Sequence, residues 1–278
     1  LTATRTTFEE NRAVVDGGAG GAVFSAFGST DYEVTIVEST FRSNRSQGQG
    51  GAIFASGTTA ITDSNFDDNH VDLTDGPPGL GGAIFTGAIF ASGQPSPTLS
   101  IRRSTFSRNY VQPPNGSAQA EGGAIYGNPD TTVSIEDSTF AHNGKRFEND
   151  TDPGSIVTRN GGAIASLGDM TIVNSTFSGN GAVSSGGAIL HQSGSLSLNH
   201  ATVTLNHAGD AGGGIARLSG TVELQNSIVA ANQVGQSGSN PDLDGAFVSL
   251  GHNLIGDAGT STGVDHGDNG NLVGTSSS

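Results

Sequence analysis

Few residues in this 278-residue chain could do chemistry. The only Asp-Asp dipeptide is Asp67-Asp68, and Asp242 and Asp244 form a second close pair. Glycosidic hydrolysis needs two carboxylates, one acting as acid and one as base or nucleophile. Asp67 and Asp68 lie inside a Phe-x-x-Asn segment that recurs with ordinary residues at these places, and no second motif accompanies them, so a catalytic pair is not the preferred reading. For Asp242 and Asp244 a turn is preferred. The one lysine, Lys145, stands beside Arg146. A lyase acting on a uronan would need such a base, plus cations to neutralise the uronate.

Asp265-His266-Gly267-Asp268-Asn269-Gly270-Asn271 loosely follows a calcium loop, with Asp265, Asp268 and Asn269 as candidate ligands. The alternate-oxygen pattern requires Asp or Asn at 267, where Gly stands, and no Glu closes it. A plain turn is preferred and no cofactor is expected, with calcium as the alternative. His200 and His207 could approach a metal, but His200 shares a column with residues of both charge signs, which reads as exposed surface. Arg102, Arg103 and Arg108 read as a solvated basic face. Tyr110, Tyr126 and Phe147 lie in or near the longest irregular segments and are candidates for stacking on sugar rings.

The elements that would position these residues follow from a repeat. Phe8, Phe41, Phe66, Phe106, Phe140 and Phe177, then Val203 and Val229, each stand three residues before an asparagine. Those asparagines are Asn11, Asn44, Asn69, Asn109, Asn143, Asn180, Asn206 and Asn232. Five before the Phe comes Ile36, Ile61, Ile101, Ile135, Ile172, Leu198 or Leu224, and two earlier another mostly apolar residue. Residues two apart share a face of a strand, whereas the Phe has the opposite parity. The serines between (Ser39, Ser64, Ser104, Ser138, Ser175, Ser227) predict a bend that resets the phase, so both apolar sets point inward. The Asn suits a turn, with its amide bonding the next coil. Gly-Gly-Ala-Ile/Val recurs from Gly20, Gly50, Gly81, Gly122, Gly161 and Gly186, with Gly213-Gly214-Ile215 as a degenerate copy. It suits a tight corner needing positive φ or close backbone approach.

Successive Phe-column positions are 33, 25, 40, 34, 37, 26 and 26 residues apart. A minimum near 25 with variable excess fits a coil of short strands carrying inserted loops. Helical repeats need apolar spacings of three and four, which no segment shows. Propeller blades need four strands in about 40 residues, for which the short copies lack room. The fold class expected is all-β, a right-handed parallel β-helix of about eight to nine coils, or a rod of about 40 Å at roughly 4.8 Å per coil. Residues 1–278 read as one domain, with regular coils over 1–232 and looser ones over 233–278. Segments 110–121 and 144–160 are the longest insertions. Both precede a Gly-Gly corner, so they should emerge on one face.

The pairing of GGA[I/V] with FxxN resembles the polymorphic outer-membrane protein repeat of bacterial surface proteins. Asn226 to Asn232, followed by Pro241-Asp242-Leu243 and Ser249 to Gly256, is similar to the C-terminal coils of large extracellular right-handed β-helix proteins. The resemblance implies an extracellular or cell-surface, adhesin-like passenger and supplies no catalytic residues. Val203 and Val229 depart from the pattern and should thin the packing.

Composition agrees with such a rod. There are 44 glycines, and charged residues make up only 13%. The formal charge of −15 disfavours nucleic acid and anionic substrates. With no cysteine, disulfides and thiolate metal sites are excluded. No apolar run of about 18 residues could span a membrane as a helix. The chain opens inside a repeat without Met, and a fragment of a longer protein is expected. The reading is a non-catalytic surface module, either a binding rod for a surface glycan or protein receptor or a structural spacer. The alternatives are a polysaccharide lyase or uronan epimerase, and a rod that self-associates end to end into fibres.

Overall fold

The computed structural model describes residues 1–14, 18–25, 33–73, 79–87, 96–113, 120–145 and 157–274. The described residues form strands and one short 3-10 turn, Asp268–Gly270, with no α-helix among them. Every strand pair is parallel and joins copies one coil apart, which makes the chain a parallel β-helix.

Among the described residues three long sheets run along the rod, with nine, ten and eight strands. The first holds the five-residue strands such as Thr132–Glu136 and Asp169–Val173, with Ile135 opposite Ile172. The second holds the Phe strands, Thr139–Ala141 on Thr176–Ser178, with Phe140 opposite Phe177. The third holds the strands after the glycine pair, Ile125–Gly127 on Ile164–Ser166. An apolar strand of five residues cannot bury itself, but like residues stacked about 4.8 Å apart can.

The interior is therefore built in columns. Phe41, Phe66, Phe106, Phe140 and Phe177 are all fully buried. Consecutive rings lie 4.6–4.8 Å apart and within 6° of parallel. The column opens on Phe8 and closes on Val203, Val229 and Ile255. Each buried ring contributes on the order of 2–3 kcal/mol relative to exposure.

The phase reset sits one residue before the serine. Glu38, Asp63, Arg103, Asp137, Asn174, His200 and Asn226 all have φ between 45° and 54°. The left-handed conformation carries the chain around a corner and turns the Phe inward. A second left-handed residue precedes each ladder asparagine: Glu10, Ser43, Asp68, Arg108, His142, Gly179, Leu205 and Ala231. This corrects the expectation for the asparagine, which is not itself the left-handed residue. Its amide has the other role.

Asn44, Asn69, Asn109, Asn143 and Asn180 form one buried ladder. Each donates its backbone N–H and its Nδ2 to the Oδ1 of the next coil's asparagine; for Asn109 to Asn143 both distances are 3.0 Å. Each also donates Nδ2 to a carbonyl in the preceding coil, as Asn109 does to Phe66 at 2.9 Å. The serines form a second ladder. Ser104 N–H donates to Ser138 Oγ at 3.2 Å, and Ser104 Oγ donates to its own coil's Arg102 carbonyl at 2.8 Å.

The glycine corner uses both properties expected of it, at different residues. The first glycine takes positive φ, as Gly161 does at 59°. The second packs against the next coil: a Cβ on Gly162 would stand 2.2 Å from the Gly187 carbonyl oxygen. The degenerate copy shifts by one residue from its sequence alignment. Gly212 has φ 59°, Gly213 is the close-approach residue, and Gly214 takes the place of Ala188.

Candidate functional site

The charged residues on the rod's sides are held in pairs between coils. Arg103 donates to both oxygens of Asp63 at 2.7 and 2.8 Å, and holds that exposed carboxyl below the usual range. Arg102 meets Glu136 at 3.2 Å, and Arg5 meets Glu38 at 2.6 Å. The pair Asp67-Asp68 belongs to the same pattern. Asp67 accepts from Arg108 and from Ser107 Oγ, and Asp68 accepts from Ser43 Oγ at 3.0 Å. The exposed pairs Arg103–Asp63, Arg102–Glu136 and Arg5–Glu38 contribute little stability each, whereas Asp67 is buried.

The aromatic candidates are placed differently from expectation. Tyr110 is only 8% exposed, and its ring lies parallel to His70 with centroids 4.8 Å apart. Tyr126 is only 7% exposed and stacks on Phe85 at 5.7 Å. Burial, then Glu121, pushes the Tyr126 hydroxyl up to about 12. Both rings are committed to packing, so neither offers a free face to a sugar. Phe147 lies outside the described residues, as do Arg146 and most of the two long insertions.

Asp265, Asp268 and Asn269 are exposed and lie in or beside the 3-10 turn, where the Asp265 carbonyl accepts the Asp268 N–H. Among the described residues no three His, Asp or Glu are grouped to hold a metal ion. His200 is exposed and left-handed. Asp242, expected in a turn, is buried with its carboxylate joined to Asn232 at 2.9 and 2.7 Å.

The structure adds a cleft that the sequence reading did not single out. It is lined by Gln112, Pro113, Val157, Arg159, Val183, Ser184 and Asp210, with a volume of about 360 Å³. Its walls come from the coil corners. Thr158 is buried and accepts the Val111 N–H on Oγ1 at 3.0 Å, which ties its segment to the strand Tyr110–Gln112. The next coil stacks on it through Val183 N–H to the Thr158 carbonyl at 2.9 Å and Ser184 N–H to the Arg159 carbonyl at 2.8 Å. Asp210 N–H then donates to the Ser184 carbonyl at 2.8 Å. Arg159, Ser184 and Asp210 are thus consecutive steps of one column, each two residues before its corner glycine.

That column carried a sequence signal. In the earlier copies the position holds Gly18, Gly48, Gly79 and Ala120, and only then Arg159, Ser184 and Asp210. The small residues of the column thus give way to a cation, a hydroxyl and an anion. The electrostatics are uneven. Among the described residues Arg159 forms no salt bridge, unlike Arg102, Arg103 and Arg108. Asp210 accepts a hydrogen bond from Ser184 Oγ through one oxygen. The floor is aliphatic, with Val183 half exposed. The cleft thus offers a guanidinium, a carboxylate, a hydroxyl and an amide around aliphatic side chains.

Residues 38–56 and 174–192 match the family model of the Chlamydia polymorphic membrane protein repeat. Each match runs from the left-handed corner through Phe-x-x-Asn into the glycine pair and its strand. That family is associated with the outer membrane and cell surface, which supports a surface location in general. No curated protein and no solved structure matches the chain at a significant level. The chain is thus a parallel β-helix, and two of its coils are similar to the polymorphic membrane protein repeat.

Proposed function

We propose that this chain is a non-catalytic binding module of a secreted or cell-surface protein, with the rod as a spacer and the corner cleft as its contact face. One observation carries the reading. The side-face arginines Arg5, Arg102, Arg103 and Arg108 are paired to carboxylates of neighbouring coils, whereas among the described residues Arg159 in the cleft has no carboxylate partner. A cation so placed beside an aliphatic floor is available to a binding partner. No metal ion is required for contact.

The test is attachment of the purified chain to immobilised cell-surface glycans and proteins, against a variant carrying Arg159→Glu and Val183→Asp. Both residues are exposed, so the variant should melt with the parent chain. Attachment lost in the variant and unchanged by chelator supports the reading. Equal attachment by both proteins counts against the cleft, and unsaturated products released from any uronan would make the chain an enzyme.

A further inference from the structure

We propose that the cleft selects a small zwitterionic group, an ammonium and a carboxylate joined by an aliphatic spacer. This rests on the cleft being the contact face.

The reasoning starts from the column. Arg159 and Asp210 stand two steps apart in a ladder of backbone hydrogen bonds, with Ser184 between them. Two strand spacings of roughly 4.8 Å separate their backbones by about 10 Å along the rod. That exceeds the screening length of about 8 Å at physiological ionic strength, so the two charges neutralise each other poorly. They form no salt bridge with each other. The cleft therefore presents a cation at one end and an anion at the other.

Ser184 sharpens the anionic end. Its hydroxyl donates to Asp210 Oδ2, which fixes the carboxylate and leaves Oδ1 to accept from a ligand. Between the ends lie Val183, Val157 and Pro113, a surface for methylenes. Gln112 adds an amide that can donate to a carboxylate.

The charge of the whole chain narrows the ligand further. At −15 the protein repels polyanions, so a single arginine is a poor receptor for an acidic polymer. A ligand with no net charge avoids that repulsion and satisfies both ends. A cation alone leaves Arg159 unanswered, and a carboxylate alone meets Asp210 unscreened.

The experiment is calorimetric titration of the whole chain with 6-aminohexanoate, hexanoate and hexylammonium, which share an aliphatic body and differ in charge. The zwitterion should bind at least tenfold tighter than either single ion. Arg159→Gln should lower its affinity to that of hexylammonium, and Asp210→Asn to that of hexanoate, with melting temperatures unchanged. Equal affinity for the three probes, or none for the zwitterion at millimolar concentration, overturns the inference, as does indifference to both substitutions. Surface attachment is read on the same preparations. Attachment lost in the Arg159→Glu, Val183→Asp variant but not competed by 6-aminohexanoate overturns the ligand class alone, whereas attachment kept by that variant removes the contact face itself.

Discussion

Asn232 donates both its backbone N–H and its side-chain Nδ2 to a single oxygen of Asp242, at 2.9 and 2.7 Å. The ladder that begins at Asn11 thus ends on a carboxylate. Within it each Oδ1 accepts from the asparagine of the coil before, and each Nδ2 donates to the Oδ1 of the coil after, so the amide ladder runs in one direction. An acceptor-only group is the natural terminus for such a chain of donors. The other Asp242 oxygen takes the Asp257 N–H at 2.6 Å.

Burial pushes the Asp242 carboxyl above its ordinary value, against the hydrogen bonds from Asn232 and Asp257. A raised folded value means that folding favours the protonated form. Its contribution is fully present below the unfolded value of about 3.8 and is lost as pH rises through the folded value. The stability difference between the parent chain and Asp242→Asn should therefore change with pH across this range. Urea denaturation from pH 3 to 7 reads it, and a pH-independent difference contradicts the assignment.

The middle of the ladder should be costly to break. Replacing Asn109 by Leu strands the Asn69 N–H and Nδ2, which now donate to it at 3.0 Å each. It also leaves the Phe66 carbonyl without its side-chain donor. At about 1–3 kcal/mol for each unsatisfied buried group, the loss should be roughly 3–5 kcal/mol. Chemical denaturation measures it; a loss below about 1 kcal/mol would show that the ladder is incidental.

The glycine corners separate contact from conformation. A Cβ on Gly82 would meet the Gly123 carbonyl oxygen at 2.0 Å, whereas at Gly267, with φ 86°, it meets nothing within 4 Å. Gly267→Ala should cost only the left-handed strain, about 1–2 kcal/mol. Gly82→Ala must push coils apart and should cost more than about 4 kcal/mol. Similar melting temperatures for the two variants would contradict the close approach.

His191 gives a pH response of opposite sign. It is fully buried, its Nε2 faces the Gly194 carbonyl at 3.2 Å, and burial, with Arg217 nearby, lowers its pKa. A lowered folded value means that the unfolded chain takes up the proton first. Stability is full above the unfolded value of about 6.5 and falls as pH drops through it toward the folded value. His70, under Tyr110, shifts the same way. Substituting both by Gln should flatten thermal stability between pH 7 and 5; an unchanged profile would contradict it.

The columns were legible in sequence because each coil repeats a chemical requirement. Phe140 and Phe177, and Ile135 and Ile172, are spaced by whole coils and stand opposite one another. The bend was legible from Ser138, but the left-handed residue before it was not, since Glu, Asp, Arg, Asn and His all fill that place. The burial of Tyr110 and Tyr126 was not legible because it comes from neighbours along the rod, His70 and Phe85, which belong to other coils. Arg159, Ser184 and Asp210 were less legible as a set because their column counts back from the corner glycine, not from the Phe. The place of Asp242 at the end of the asparagine ladder was not legible because it lies only ten residues after Asn232, outside the repeat spacing.

The in-register stacking of coils is tested most directly by cross-linking. The chain has no cysteine, and exposed Ser134 and Thr171 stand opposite each other on adjacent parallel strands. Their backbones should lie about 5 Å apart, within disulfide reach. The variant Ser134→Cys, Thr171→Cys should close an intramolecular disulfide under mild oxidation without loss of stability, and the offset variant Ser134→Cys, Asp169→Cys should not. Equal closure of the two pairs, or closure of the offset pair alone, would contradict the register on which the columns and the cleft depend.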